Sequence, residues 1–482
     1  MNKIEKRNSI LGGLVWRFSE RILAQGVTFI VSLVIARILE PQAYGFIAIV
    51  MVFIIFADAF VTGGFGNALI QKKDSDALDF STVFYFNCIF SLIIYAGIYI
   101  SAPYIEIWYG LEYKGLSLIL RILAIRIPIS AINSVQQAFV SKNMMFKKFF
   151  FSTLGGTLGA AVIGVMMAYL GYGVWALVFQ YLFNTTTDTL VLWITVKWRP
   201  KLLFSYTRLI ILIKYGWKLM IATLLEVIYN DLRTVLIGKF YNSNDLAYYN
   251  RGKQFPGLVV DNINTSILTV MFPAICAIQN NEIEIKKLVK KAMKIASYII
   301  FPMLIGLAII ANKLVIILLT DKWIDSVWYI QIFCIIYLVQ PITKPFQQII
   351  KAKGRSDITL FLQIITKILG ILGILIAIPF NVKMIAIAHA LTSLISVLLD
   401  MIVGGRMINY SIKEQIKDLL PTVYLTFFMG IFVYGFGVYL NSFDKIIVIC
   451  CQVIVGILLY IFLSKITKNE NLEYILKKIK KQ

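Results

Sequence analysis

Runs of about 20 or more apolar residues alternate along the chain with short polar breaks, the pattern of helices that cross a lipid bilayer. Fourteen such runs are predicted, at roughly 13–38, 43–69, 80–104, 116–140, 149–170, 173–196, 211–238, 245–275, 292–320, 325–350, 357–379, 383–408, 418–440 and 444–464. No long linker or extramembrane domain separates them, and the largest outer loop is residues 104–116. The predicted fold class is all-α, a polytopic membrane protein of about 14 transmembrane helices. Met1 to Ile10 is polar, and the first apolar run is long, with no small-residue cleavage site after it. The first span is therefore expected to insert and be kept.

Composition agrees with the pattern. Of 482 residues, 59% are hydrophobic and only 15% charged, with a mean hydropathy of +0.80. No water-soluble fold of this length could hide so much apolar surface.

The net charge of +22 would suit a nucleic-acid binder, so its placement decides what it means. If the amino terminus is cytoplasmic and the spans alternate, the outer loops hold only Lys114, Lys239, Lys322, Lys383 and Lys445. Every cytoplasmic loop is basic, including Lys286, Lys287, Lys290, Lys291 and Lys294, as is the tail after residue 464. Positively charged loops resist translocation, so this bias places both termini in the cytoplasm and sets nucleic acid aside as a partner. The basic loops and the amphipathic tail NENLEYILKKIKKQ are expected to rest on anionic head groups of membrane lipids.

Little points to an enzyme. Cys88, Cys276, Cys334, Cys450 and Cys451 all lie in or beside apolar runs without C-x-x-C spacing, and His389 is the only histidine. Nucleophile–histidine pairs and multi-histidine metal sites lack their parts, and neither metal nor cofactor is expected.

The informative residues are polar groups inside the spans. Residues at i, i+4, i+7 and i+11 share one face of a helix. Arg21, Gln25, Thr28 and Ser32 follow that spacing in the first span, with Arg17 one turn earlier and Glu20 adjacent. So do Arg126, Ser130, Asn133 and Gln137 in the fourth, and Glu226, Asn230 and Arg233 in the seventh. The eighth carries Asn250, Gln254, Gly257, Asp261 and Asn264, flanked by Arg251 and Lys253. The twelfth carries His389, Ser393, Ser396 and Asp400, and the tenth Gln340, Lys344 and Gln347. Such stripes can simply glue helices together. A charge near a helix centre costs about 2.5–3.5 kcal/mol on insertion scales, so deep arginines must face protein or water. A polar cavity with fixed positive charge would attract an anion, and arginine suits phosphate through bidentate hydrogen bonds.

A faint internal repeat pairs Trp16-Arg17 with Trp217-Lys218, Arg37 with Lys239 and Tyr44 with Tyr248, as in repeat-built transporters. The last two spans carry no ionisable residue in their interiors, which suggests a twelve-helix working core with a peripheral pair appended.

Two segments carry a family resemblance. Residues 36–74, ARILEPQAYGFIAIVMVFIIFADAFVTGGFGNALIQKKD, resemble the first outer turn and second helix of bacterial polysaccharide transporters. These are flippases for lipid-linked oligosaccharides in the multidrug/oligosaccharidyl-lipid/polysaccharide exporter superfamily. Residues 230–281, with YYNRGKQFP at 248–256 and MFPA at 271–274, resemble the seventh and eighth helices of its lipopolysaccharide and teichuronic acid type. The resemblance implies two six-helix lobes around a central cationic cavity plus two extra helices. On this chain the division becomes 1–210, 211–410, 411–464 and a basic cytoplasmic tail at 465–482. It further implies a substrate of undecaprenyl-diphosphate-linked sugar units, carried to the outer leaflet of the bacterial cytoplasmic membrane for surface polysaccharide. Polysaccharide polymerase and glycosyltransferases would be neighbours in that assembly. The positions matching the family's cavity residues include Arg17, Arg21, Asp58, Asp231, Arg233 and Arg251.

On this expectation Arg17, Arg21, Arg126, Arg233 and Arg251 meet the diphosphate, while Gln25, Asn133, Asn230 and Asn250 bond sugar hydroxyls. Glu20, Asp58, Glu226, Asp231 and Asp261 either bind a driving proton or sodium ion or pair with nearby arginines. A drug or metabolite antiporter of the same superfamily is the alternative, and would favour an acidic cavity. A membrane enzyme of polysaccharide assembly is a further one, but would bring a sizeable catalytic outer loop.

Overall fold

The computed structural model describes residues 23–62, 64–72, 74–143, 145–278, 281–440 and 442–479. All regular structure among them is helical. This is what hydrocarbon dictates, since a spanning segment must satisfy its own backbone hydrogen bonds. Contacts divide the chain into two compact units, Met1–Ala247 and Tyr248–Gln482.

The first unit begins its described part with α1 (Leu23–Ile38). It continues with α2 (Pro41–Thr62), α3 (Phe65–Gln71), α4 (Ala77–Tyr109), α5 (Leu116–Leu123), α6 (Arg126–Lys142), α7 (Phe146–Tyr169), α8 (Val174–Thr195) and α9 (Tyr206–Phe240). Helix α10 (Ser243–Ala277) runs on from it into the second unit. Then follow α11 (Glu282–Leu319), α12 (Ser326–Leu338), α13 (Gln340–Ala352), α14 (Ser356–Ala377), α15 (Val382–Arg406), α16 (Ile412–Tyr439), α17 (Lys445–Ile466) and α18 (Glu470–Ile479).

Among the described residues, ten helical stretches are long and apolar enough to cross a membrane. The fourteen predicted runs exceed that number for a physical reason. Helices α8, α9 and α10 have 22, 35 and 35 residues, but polar and charged residues such as Asp188, Glu226, Arg233 and Arg251 interrupt their apolar runs, and α1 is described over a shorter length.

The repeat is visible in the helical punctuation. Helix α4 ends at Gly110 (φ 93°), a three-residue 3-10 turn follows at Leu111–Tyr113, and a span runs over Leu116–Lys142. Helix α11 ends at Thr320 (φ 77°), the turn recurs at Asp321–Trp323, and the next span is Ser326–Ala352, also 27 residues. Both spans break near the middle. In the first, Pro128 lacks the N–H that Ala124 would need one turn on, and the Ala124 carbonyl accepts from Ile127 N–H instead. In the second, Pro341 sits at the start of α13.

Within the first unit α9 packs against α2, α3 and α4. A Cβ on Gly45 would lie 1.7 Å from the Ser243 carbonyl oxygen, so glycine is what lets α2 meet the start of α10. At the end of the unit near α3, an aromatic layer joins Phe80 to Phe139 (5.5 Å between ring centres) and Phe139 to Trp198 (6.0 Å). Beside it the fully buried Asp79 takes Lys72 at 2.6 Å and Arg208 at 3.3 Å, and Asp76 takes Arg208 at 2.7 Å. Asp76 and Asp79 also close a capping box at the start of α4.

In the second unit α11 is the central post, packed against α12, α13, α16 and α17. Tyr298 on α11 donates to Ser464 Oγ at 2.8 Å, and Tyr460 donates to the Tyr298 carbonyl at 2.9 Å. These bonds hold α17, the last apolar helix, against α11 inside an otherwise apolar layer of Leu425, Met429 and Val433.

Candidate functional site

The polar face of α6 supplies the wall of a cavity of about 420 Å³ in the first unit. Arg126, Ser130, Asn133 and Gln137 line it at the helical spacing predicted from sequence, joined by Asp58 and Thr62 from α2 and by Asn184, Thr185 and Asp188 from α8. Helix α7 fixes where α8 sits. A Cβ on Gly156 would stand 3.0 Å from the Asn184 carbonyl oxygen and 3.4 Å from Asp188 N, so the turn carrying Asp188 rests directly on that glycine.

Three polar contacts tie the walls together. Asn133 Nδ2 donates to Asp188 Oδ2 at 2.7 Å, and Gln137 Nε2 reaches the same oxygen at 3.5 Å. Arg126 Nη2 stands 3.7 Å from Asp58 Oδ2. Asp58 Oδ1, Arg126 Nε, Asn133 Oδ1 and Asp188 Oδ1 are buried and make no hydrogen bond among the described residues. One guanidinium and two carboxylates give a lining of mixed charge, rich in both donors and acceptors, instead of a purely cationic one.

The second unit repeats part of this motif. Gln347 Nε2 on α13 donates to Asp400 Oδ2 on α15 at 3.0 Å, with Asp400 buried. Asn264 Nδ2 donates to Gln340 Oε1 at 3.0 Å.

The remaining predicted residues are spread over other elements. Gln25 is half-buried on α1. Arg233 on α9 is buried, with its guanidinium 5.5 Å from the Tyr229 ring, and its Nε and Nη2 make no hydrogen bond among the described residues. Arg251 on α10 is buried as well, donating through Nη1 to Gln254 at 2.7 Å and lying 4.9 Å from the Trp323 ring. Asn250 and Asp231 are half-buried, whereas Glu226, Asn230 and Asp261 are exposed. Arg17, Glu20 and Arg21 lie outside the described residues. Sequence reasoning did not single out Asn184, Thr185 or Asp188. Their signal was the i, i+4 pair Asn184 and Asp188 within an apolar run. No cluster of three or more His, Cys, Asp or Glu suited to a metal occurs among the described residues.

The teichuronic acid biosynthesis protein TuaB of Bacillus subtilis is 23% identical over 419 residues, covering 85% of each chain. The lipopolysaccharide biosynthesis protein WzxC of Escherichia coli is 21% identical over 440 residues, covering 89% of each. Among solved structures, the lipid II flippase MurJ in an inward closed conformation matches with a TM-score of 0.75 at 16% identity, covering 95% of this chain and 98% of that one. An inward-facing multidrug resistance transporter of the MATE family matches at 0.61 and 15% identity, covering 81% and 99%. Both structures share the fold. The family described as polysaccharide biosynthesis protein matches residues 34–328, and the chain belongs to that family.

Proposed function

We propose that this protein is a transporter that moves undecaprenyl-diphosphate-linked oligosaccharide repeat units across the bacterial cytoplasmic membrane for surface polysaccharide synthesis. Membership of the polysaccharide biosynthesis family supports this reading. So do relatives named for teichuronic acid, lipopolysaccharide and succinoglycan, the last of them a transport protein.

The observation that carries it is the cavity of α2, α6 and α8. Amide, hydroxyl, carboxylate and guanidinium groups line a space inside an apolar membrane unit. Such a lining suits the many hydroxyls of a sugar, each both donor and acceptor. Asn133, Gln137, Asn184 and Asp188 would bond the leading sugars. Buried Arg233 and Arg251 would meet the diphosphate, with Arg17 and Arg21 as further candidates, while the polyprenyl tail stays in lipid. Asp58 pairs with Arg126 in this arrangement, so of the carboxylates in the cavity Asp188 is the better candidate for binding a coupling proton or sodium ion. Both termini would lie in the cytoplasm, and the cycle would alternate access between the two faces.

Reconstitution into proteoliposomes tests the reading. A lipid-linked oligosaccharide placed in one leaflet should become accessible to a membrane-impermeant glycosidase on the other side at a rate that depends on the protein. Equal accessibility in protein-free vesicles would refute it. Transport of a cationic drug without movement of the glycolipid would favour the antiporter alternative.

A further inference from the structure

The amino-terminal turns of α11 carry lysines at 286, 287, 290, 291 and 294, just before a mostly apolar run without charged residues from Ile295 to Ala311. Three of these lysines are engaged by carboxylates: Lys286 by Glu414 at 2.8 Å, Lys290 by Asp418 at 2.8 Å and Lys294 by Glu470 at 2.7 Å. The other two, Lys287 and Lys291, are exposed one helical turn apart. They have no carboxylate within ion-pair distance among the described residues.

Helix α18 turns this stripe into a pocket. Glu470, Asn471 and Tyr474 close a space of about 360 Å³ against Lys287, Lys290, Lys291 and Lys294. The helix is held there by the Lys294–Glu470 pair, by Lys291 Nζ 3.5 Å from the Tyr474 ring centre, and by Leu472 packing on the layer that contains Tyr298 and Tyr460. Asp418 and Glu470 offset Lys290 and Lys294, so Lys287 and Lys291 give the lining its net positive charge.

We propose that this pocket binds the phosphate of an anionic lipid head group, with Lys287 and Lys291 as the principal contacts. Two observations select a lipid over a soluble anion. The pocket lies at the end of the apolar part of α11, which is head-group depth for a helix that crosses the bilayer. Its second wall, α18, packs Leu472 on the bundle but leaves Leu476 exposed beside Glu473 and Lys477, an apolar side chain among charged ones on the open side, as at a head-group surface. The lipid would bridge α11 and α18, and so stabilise the docked tail.

The test is the thermal unfolding midpoint of the purified full chain in detergent, titrated with short-chain phosphatidylglycerol, short-chain phosphatidylcholine or inorganic phosphate. Phosphatidylglycerol should raise the midpoint saturably, because a ligand that binds only the folded state stabilises it by mass action. K287Q/K291Q should weaken the apparent affinity at least tenfold. K287R/K291R, which keeps the charge, and K197Q/K201Q, which removes two exposed lysines of the first unit, should both retain it. An unchanged titration in K287Q/K291Q, or an equal loss in K197Q/K201Q, would overturn the site. An equal rise with inorganic phosphate at matched concentration would overturn the lipid assignment.

Discussion

Asn133 on α6 and Asp188 on α8 meet through a hydrogen bond of 2.7 Å that closes the polar cavity of the first unit. An interhelical bond of this kind can serve structure, function or both, and two variants separate the roles. Replacing Asp188 by Ala leaves the Asn133 amide without its acceptor and should cost about 1–2 kcal/mol of stability. Asp188→Asn keeps an acceptor oxygen in place while removing the charge. It should leave the unfolding midpoint within about a degree, and still reduce transport. Thermal unfolding and vesicle transport measured together on both variants check this.

The pair formed by Arg126 and Asp58 spans 3.7 Å between α6 and α2. Losing the guanidinium strands a carboxylate in a largely apolar unit, whereas losing the carboxylate leaves a cation with other acceptors nearby. Arg126→Ala should therefore lower transport at least tenfold, about 1.4 kcal/mol, and Asp58→Asn by less. The reverse order of severity in initial transport rates would mean that the pair is not arranged as described.

Gly45 gives a prediction about packing alone. A methyl group there would meet the Ser243 carbonyl oxygen at 1.7 Å, so Gly45→Ala must push α2 away from the start of α10. Overpacking of this kind costs about 1–3 kcal/mol. Gly97 on α4 has nothing within 4 Å of its would-be Cβ, and Gly97→Ala should be neutral or slightly stabilising. Folded yield after detergent extraction, compared between the two variants, tests the helix register directly.

The clasp at the start of α4 sets a pH dependence. Asp76 titrates below its usual value of 3.8, because the Asp79 backbone N–H and the Arg208 side chain both bond its charged form. A group whose folded pKa is depressed contributes stability that is present above its unfolded pKa and lost as pH falls through the folded one. Stability should thus decline below about pH 4. Asp76→Asn preserves the helix cap, since asparagine caps as well as aspartate, but removes the charge paired with Arg208. Its unfolding midpoint should fall less steeply with acid than that of the native chain.

Much of this architecture was legible because hydrocarbon forces regularity. Each spanning segment must be a helix, and polar residues on one face stand out at a period near 3.6, as Arg126, Ser130, Asn133 and Gln137 do. The break between α5 and α6 was less visible. Pro128 announces it, but an apolar run reads as continuous across a proline. Asp188 went unremarked because its neighbours Thr185, Thr186 and Thr187 blur the i, i+4 signal of Asn184. The pairing of Asp58 with Arg126 depends on how α2 and α6 pack, which no local pattern encodes. The repeat showed faintly in matching residues such as Tyr44 and Tyr248. It became plain only in the recurring turns after α4 and α11 and in the two proline-broken spans.

The cavity of α2, α6 and α8 should bind the sugar of the lipid-linked oligosaccharide. Native mass spectrometry of the purified protein with undecaprenyl diphosphate, bare or bearing its oligosaccharide, tests this directly. The native chain should prefer the sugar-bearing lipid, and N133A/Q137A should lose that preference while still binding the bare diphosphate. A preference that survives undiminished in N133A/Q137A would mean that the sugar binds elsewhere.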